Sequence, residues 1–375
     1  MAGSKRARTD AWGDGATEAL CAIEVEAIRS AAACANHSAP TTVRELLRRR
    51  RAGESAGTAG AARLTTACPE LDAVLGGGLP TGAVVEIVGE SNCGKTQLCL
   101  QLLLSSQWAP QRGGLGGRSL YIHTEHDGPL RRLRELAEFH ADKGFVEPDA
   151  CDRIFVEKCG ESAPALLGVL VRARALLRRF ERTEAPVRLL IVDSIANLFR
   201  DFGEARNAAA NNDSDGHVRR VAIDRSRMLY QIARTLRQYA AEFGVCVVVT
   251  NHVVDRIAES GSHEAQRAAG GRPLASSGRE VLPSLGLPWA QCIQGRYFVS
   301  RTLRRLDARR FDTSGVVRRI EVLRSPPVPR PPRASPVNAC AYVINKLGVW
   351  GLPSHIAEES EGALGQHVTS AAQGT

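Results

Sequence analysis

The sequence lacks the features that mark membrane, secreted and zinc-binding proteins. No stretch approaches the roughly 18 consecutive apolar residues that a membrane-spanning helix requires. The first ten residues are polar and basic, so we expect no secretory signal. The ten cysteines are scattered and include no Cys-x-x-Cys pair, which excludes a zinc ribbon built from local pairs. We expect them to be reduced core residues of an intracellular protein.

Lysine is also scarce, with five residues against 44 arginines. A GC-rich genome raises arginine and alanine together and is enough to account for that bias. The chain nevertheless carries 49 basic and 40 acidic residues, a net charge of +9, which favours an anionic partner and nucleic acid first. The length of 375 residues and the 43% hydrophobic content are typical of one large globular domain with an accessory segment, or of two domains.

Composition divides the chain into five parts. Small and charged residues come first, helical periodicity follows, and a Gly- and Ala-rich stretch precedes the longest part. We predict a disordered segment (1–14), a small helical N-terminal module (15–52), a linker (53–63), an α/β core (64–352) and a polar flexible tail (353–375).

Within the core, apolar strand-like runs alternate with amphipathic helices, which is typical of a parallel α/β sheet. Predicted strands are 84–88, 119–123, 154–157, 189–192, 245–250, 296–299, 319–323 and 341–344. Predicted helices are 95–107, 129–139, 163–180 and 226–243. Residues 201–220 and 255–281 interrupt this alternation and are predicted to be long loops, which are usually functional or disordered.

The segment Gly89-Glu-Ser-Asn-Cys-Gly-Lys-Thr96 fits the pattern G-x-x-x-x-G-K-[ST] between an apolar strand and a helix. Such a loop binds phosphates with backbone N–H groups at a helix N-terminus. Lys95 is expected to contact the β- and γ-phosphates, and the Thr96 hydroxyl to bind Mg²⁺. The predicted cofactors are ATP and Mg²⁺, with nucleotide contacts from Gly89, Glu90, Ser91, Asn92, Cys93, Gly94, Lys95, Thr96 and Gln97.

Two further strands end in carboxylates. Asp193 closes the apolar run 187–193 and is the candidate Mg²⁺ carboxylate, although a strand-terminal Asp is also a common helix N-cap. Glu125 follows the strand at 119–123 and is the best-placed group to orient or deprotonate an attacking water.

Several segments together resemble the RecA-like recombinase family of eukaryotes and archaea, and its paralogues in particular. They are Cys68-Pro-Glu-Leu-Asp, the phosphate loop, Tyr121-Ile-His-Thr-Glu125, Leu190-Ile-Val-Asp-Ser194 and Val247-Val-Val-Thr-Asn-His252. The resemblance covers residues 64–352. It implies a RecA-like P-loop NTPase core, with a mostly parallel twisted sheet flanked by helices.

The resemblance also implies roles for single residues. Glu125 takes the place of the water-activating glutamate, and Arg132 that of an arginine lying over the adenine. His252 takes the place of the glutamine in an Asn-Gln pair that senses the γ-phosphate. The predicted catalytic residues are therefore Glu125, Lys95 and His252. Residues 201–220 and 255–281 correspond to two DNA-facing loops. No phenylalanine precedes Phe139, so self-polymerisation through a linker phenylalanine is not expected.

DNA contact is predicted in two places. Arg219 and Arg220 end the first loop. Residues 301–333 hold ten arginines against three acids, among them Arg304, Arg305, Arg309 and Arg310, and would bind phosphates in a salt-dependent way. A solvated face is the alternative. The run 48–51 is a nuclear-import signal, a DNA contact or a solvated helix end.

The sequence thus predicts a nuclear, weak DNA-dependent ATPase. The recombinase paralogue would act in homologous-recombination repair of double-strand breaks and in processing recombination intermediates. Its partners would be single-stranded or branched DNA and other recombinase paralogues in a hetero-oligomer, without a membrane. Two alternatives stay open: an active strand-exchange recombinase, and a scaffold in which ATP is structural and hardly turned over.

Overall fold

A computed structural model describes residues 62–125, 129–200, 202, 215–256, 274–306, 315–326 and 338–353. The N-terminal segment and module, nearly all of the linker and the C-terminal tail therefore lie outside the described residues. The predicted core is the part that the structure describes, apart from its gaps.

The strands are β1 (Arg63–Leu64), β2 (Leu79–Pro80), β3 (Val84–Gly89), β4 (Arg118–His123), β5 (Ile154–Lys158), β6 (Val187–Asp193), β7 (Cys246–Asn251), β8 (Val253–Asp255), β9 (Leu274–Ser276), β10 (Arg279–Pro283), β11 (Gly295–Arg305), β12 (Val316–Arg324), β13 (Ala339–Asn345) and β14 (Gly348–Gly351). The α-helices are α1 (Pro69–Leu75), α2 (Lys95–Ser105), α3 (Leu130–Asp142), α4 (Ala163–Phe180), α5 (Asp215–Phe243) and α6 (Gly286–Cys292). Among these helices none is long and apolar enough to cross a bilayer.

Within the described residues, nine strands form the central sheet in the order β14-β13-β12-β11-β3-β7-β6-β4-β5. From β11 to β5 every neighbouring pair is parallel, whereas β11, β12, β13 and β14 pair antiparallel. All residues of β3 and β7 are buried, as expected of apolar runs in the middle of a parallel sheet covered on both faces. The prediction of a mostly parallel α/β sheet is confirmed.

Helices cover the two faces of the sheet and create two apolar cores. One core packs Leu170 of α4, Leu236 of α5 and Trp289 of α6 against the sheet. The other packs Leu71 of α1 and Leu100 of α2, with α3, against the opposite side. Helices α3 and α4 are amphipathic and bury one face each, whereas α2 is buried on nearly all sides from Leu98 to Ser105.

The two predicted long loops are partly wrong. Helix α5 begins at Asp215, eleven residues before the predicted start, so residues 215–220 are helical. Residues 255–281 contain parts of a three-stranded sheet in the order β8-β10-β9, called the small sheet below. It forms because Leu274 and Val281 bury against Val88 and Phe298 of the central sheet, which stabilises strands too short to hold alone.

Candidate nucleotide-binding site

The phosphate loop needs its two glycines for different reasons. A Cβ at Gly89 would lie 2.1 Å from the carbonyl oxygen of Val299 on the neighbouring strand, so no side chain fits there. Gly94 has φ 99°, in the region that favours glycine. Helix α2 begins directly afterwards at Lys95. Backbone N–H groups at this helix N-terminus are the groups that bind phosphates.

The Lys95 ammonium lies inside the loop. Its side chain is buried, and Nζ donates hydrogen bonds to the carbonyl oxygens of Gly89 at 2.8 Å and Glu90 at 2.9 Å. The conformation of residues 89–90 therefore sets the position of the charge that is expected to meet the β- and γ-phosphates.

Three hydroxyl groups converge on the buried carboxylate of Asp193. Thr96 Oγ1 donates to Asp193 Oδ2 at 2.8 Å, Tyr121 OH donates to the same oxygen at 3.0 Å, and Thr250 Oγ1 donates to Oδ1. Burial, reinforced by the Asp193 charge, raises the pKa of Tyr121 far above its usual value, so the phenol stays a donor. A donating Thr96 hydroxyl keeps its lone pairs for a cation, and the carboxylate lies beside it. These oxygens fit Mg²⁺, which binds through one or two protein groups and keeps several waters.

A cleft of about 890 Å³ opens above these residues. Ten of the residues predicted from the sequence line it: Ser91, Asn92, Gly94, Lys95, Thr96, Gln97, Glu125, Arg132, Asp193 and His252. Gly89, Glu90 and Cys93 are not among the lining residues; the Cys93 side chain is buried in the core. Sequence reasoning missed Arg318, Ile344, Asn345 and Lys346, which come from β12, β13 and the turn after β13.

Arg132 lies at the wall formed by that turn. Its Nη2 donates to the carbonyl oxygen of Asn345 at 2.7 Å, and its Nε donates to Gln97 Oε1 at 3.2 Å. The guanidinium is thereby fixed across the cleft. The role of lying over an adenine stays a prediction that this placement suits.

Glu125 and His252 complete the lining. Glu125 is exposed, and its carboxylate accepts a long hydrogen bond of 3.4 Å from Asn197 Nδ2. His252 Nε2 is buried and has no hydrogen-bond partner in the described part of the chain. Burial lowers the pKa of His252 to about 4, with Lys95 and Arg200 adding to the shift, so the imidazole is neutral at neutral pH.

A buried polar network lies beneath the cleft, which the sequence analysis did not predict. The fully buried Glu86 carboxylate on β3 accepts from Asn251 Nδ2 at 2.7 Å, Trp289 Nε1 at 2.8 Å and Arg296 Nε at 2.5 Å. Asn251 is thus held by Glu86, and its Oδ1 accepts from the Ser284 hydroxyl at 2.8 Å. The sequence does contain a signal for this network: Glu86 is an acid within an otherwise apolar strand, and a buried charge requires polar partners.

Glu90 points away from the cleft toward the small sheet. Its carboxylate accepts from Ser276 Oγ at 2.7 Å, Ser277 Oγ at 2.5 Å and Arg279 Nη2 at 2.9 Å. Burial alone would raise the pKa of Glu90, but these hydrogen bonds outweigh it and the pKa lies below its usual value. Glu90 is therefore ionised at neutral pH. It joins the phosphate loop to the small sheet.

The arginines predicted to contact DNA lie on separate elements. Arg219 and Arg220 are exposed on α5. Near the end of β11, Arg304 is half-buried and Arg305 is exposed. Arg309 and Arg310 lie outside the described residues. DNA contact by these arginines stays a prediction.

Comparisons with known proteins agree with this geometry. A sequence model of the Rad51 family matches residues 59–282. The chain is 34% identical over 301 residues to the DNA repair protein XRCC3 homolog of Arabidopsis thaliana, covering 76% of this chain and 92% of that protein. It is 32% identical over 301 residues to the DNA repair protein XRCC3 of Mus musculus, covering 78% and 76%. With the DNA repair protein RAD51 of Mycosarcoma maydis it shares 34% over 215 residues, or 56% of this chain and 57% of that one. The chain therefore belongs to the Rad51 family, as a RecA-like recombinase paralogue similar to the XRCC3 proteins.

Proposed function

We propose that this protein binds ATP with Mg²⁺ and hydrolyses it slowly in a DNA-dependent way, during homologous-recombination repair of double-strand breaks. The observation that carries the proposal is the convergence in one cleft of Lys95, the Thr96–Asp193 pair, Glu125 and His252. Members of its family are DNA-dependent ATPases, so the general reaction is the family's own. The low rate is specific to this chain and is inferred from His252.

Each residue has a defined task in this proposal. Lys95 and the loop N–H groups bind the β- and γ-phosphates, and Arg132 lies over the adenine. Thr96 and Asp193 hold Mg²⁺, which neutralises charge on the phosphate oxygens when bound. Glu125 orients the attacking water and accepts its proton. The neutral His252 can donate one N–H to the γ-phosphate, whereas the glutamine amide at this position in the family has two N–H donors. The loss of a donor supports slow turnover.

We further propose that the protein acts in the nucleus on single-stranded or branched DNA, in a hetero-oligomer with other recombinase paralogues. Strand β5 supports the partner proposal. It forms one edge of the central sheet, and the side chain of Val156 on this strand is 40% exposed. A cavity of about 260 Å³ adjoins Val156 and Phe155. An edge strand beside an apolar cavity is a surface onto which another chain can add a strand.

Single-turnover hydrolysis of ATP, measured with and without single-stranded DNA, tests the proposal. We expect slow hydrolysis that DNA accelerates. Binding without measurable turnover in either condition would favour the scaffold. Strand exchange between single-stranded DNA and a homologous duplex by the purified chain alone would favour the active recombinase. Failure to bind ATP at all would contradict the assignment of the cleft.

A further inference from the structure

We infer that Glu86 is a positioning residue for ATP hydrolysis, because it fixes the Asn251 amide, which in turn fixes the backbone of His252. Glu86 does not reach the nucleotide itself: its side chain is 0% exposed, and it is not among the residues that line the cleft. The inference rests on the proposed function, because it takes His252 as a donor to the γ-phosphate.

The first step is that Glu86 decides which way the Asn251 amide points. The Asn251 side chain is fully buried, so its polar atoms need partners within the protein. Its Nδ2 donates to Glu86 Oε1 at 2.7 Å, and a carboxylate accepts hydrogen bonds but donates none. The amide oxygen of Asn251 therefore faces the other way, toward His252 and Ser284.

The second step is that this amide oxygen holds the backbone of His252. Asn251 Oδ1 accepts from the backbone N–H of His252 at 2.8 Å and from the Ser284 hydroxyl at 2.8 Å. The backbone N–H of Ser284 donates to the carbonyl oxygen of His252 at 3.0 Å. Both polar groups of the His252 backbone are thus bonded within this cluster, which sets the point from which the imidazole extends.

The third step is that the imidazole depends on this backbone for its position. The His252 side chain lines the nucleotide cleft together with Lys95 and Thr96. Its Nε2 has no hydrogen-bond partner in the described part of the chain, so that nitrogen does not hold the ring in place. A group that must meet a phosphate is sensitive to displacement, because a shift of about 1 Å can lower a rate about 100-fold.

The fourth step is that Glu86 is itself held from two other elements. Its Oε1 also accepts from Trp289 Nε1 of α6 at 2.8 Å, and its Oε2 accepts from Arg296 Nε of β11 at 2.5 Å. The carboxylate therefore has one position, shared by β3, β7, α6 and β11. The Asn251 amide cannot turn over without bringing two buried groups of the same hydrogen-bonding kind together, which is costly.

The experiment compares ATP affinity and single-turnover hydrolysis in the full wild-type chain and in Glu86→Gln. Glutamine keeps the shape of the side chain, and its oxygen is expected to face the Arg296 charge, the stronger donor. Its –NH₂ then faces Asn251, whose amide must turn and leave the His252 N–H without an acceptor. Turnover at saturating ATP should fall about ten-fold or more, while ATP affinity stays within about two-fold because the phosphate loop is unchanged.

A second variant provides the rescue. Glu86→Gln with Asn251→Asp exchanges the two functional groups, so the glutamine –NH₂ meets a carboxylate that can still accept from the His252 N–H. Turnover should return to within about three-fold of the wild type. The Trp289 N–H still faces the glutamine –NH₂, so this double variant should remain less stable than the wild type. A purely stabilising role of Glu86 would not separate turnover from stability in this way.

Tyr239→Phe is the matched control for lost stability. The buried Tyr239 hydroxyl donates to the carbonyl oxygen of Leu170 at 2.8 Å, and neither residue lines the nucleotide cleft. Removing this hydrogen bond should lower the midpoint of urea unfolding. Turnover per folded molecule should stay at the wild-type value.

The NMR signals of the His252 imidazole provide a readout that does not require hydrolysis. They are assigned by their absence from the spectrum of His252→Asn. At fixed pH they should move in Glu86→Gln and return toward their wild-type positions in the double variant. Tyr239→Phe should leave them in place.

Turnover in Glu86→Gln within about two-fold of the wild type would overturn the inference and leave the proposed function standing. A double variant that hydrolyses ATP no faster than Glu86→Gln would overturn it as well, as would unchanged His252 signals in Glu86→Gln. A wild-type chain that binds ATP without turnover would instead contradict the proposed function, and the NMR comparison then decides whether Glu86 positions His252.

Discussion

At the scale of single residues, Lys95 and Glu125 line the same cleft but are expected to control different steps. Lys95→Ala removes the buried ammonium of the phosphate loop, so ATP affinity should fall about 100-fold or more. Glu125→Gln keeps the shape of the side chain but replaces the carboxylate that would accept a proton from water. ATP should therefore bind normally while turnover falls about 100-fold or more. Equilibrium binding of labelled ATP and single-turnover hydrolysis separate the two effects. Turnover unchanged in Glu125→Gln would mean that another group positions the water.

His252 gives a prediction about pH. Its pKa of about 4 lies below the ordinary 6.5 because of burial and the nearby Lys95 and Arg200. Between those values an unfolded chain binds a proton that the folded chain does not, so the free energy of unfolding should fall as pH drops from 6.5 toward 4. In His252→Asn, the part of this decrease in unfolding free energy that comes from His252 should disappear. Imidazole NMR signals followed from pH 8 to 5 provide the direct check. Titration of His252 near 6.5 would contradict the burial argument.

At the scale of elements, the Glu86 network joins β3, β7, β11 and α6. Arg296→Leu would leave the Glu86 carboxylate buried in the core without its ion pair. Breaking a buried pair from one side costs about 3–5 kcal/mol of unfolding free energy. Urea denaturation of Arg296→Leu and of Arg319→Leu, an exposed arginine on β12, measures the difference. A loss below about 1 kcal/mol in Arg296→Leu would mean that the network adds little to stability.

The elements that the sequence predicts well are those with a clear apolar period. Strands β3, β4 and β6 and helix α4 were placed within a residue or two, because each buries one continuous face or run. The predicted helix is too short at α5, because residues 201–220 are rich in Asn, Ala and Asp, a composition typical of a loop, and this hides the turns that begin at Asp215. Strands β9 and β10 are three and five residues long. They depend on Val88 and Phe298, a long-range contact that no local pattern contains.

The residues of the candidate site likewise fall into two groups, those that local sequence predicts and those that only the whole sheet brings to the cleft. The phosphate loop, Asp193 and Glu125 are each marked by local context, and the structure brings them into one cleft. Arg318 and Asn345 line the same cleft only because β12 and β13 follow β11 across the sheet. The antiparallel order at that edge is a property of the whole sheet, so their contribution could not be read from spacing.

At the scale of the whole molecule, DNA affinity is expected to depend on the charges at the end of β11. Arg304→Ala with Arg305→Ala should weaken binding equally for all sequences, because backbone contacts carry no base information. The slope of log affinity against log salt should flatten by up to about 0.7–0.9 for each phosphate that the variant no longer neutralises. Arg131→Ala with Arg182→Ala removes the same charge from exposed positions elsewhere and is the matched control. If the slope is unchanged in Arg304→Ala with Arg305→Ala while the fold is intact, these arginines belong to a solvated face and do not contact DNA.

The sheet order also has a consequence for synthesis on the ribosome. Strand β3, which leads into the phosphate loop, pairs on one side with β7 and on the other with β11, so that Gly89 lies opposite Val299. The backbone N–H of Val84 likewise bonds to the Gln294 side chain, 210 residues further on. At about 5–20 residues per second, roughly 10–40 seconds pass before the second neighbour of β3 has been made. A nascent chain that stops short of β11 leaves β3 with an open edge, where it can pair with other chains.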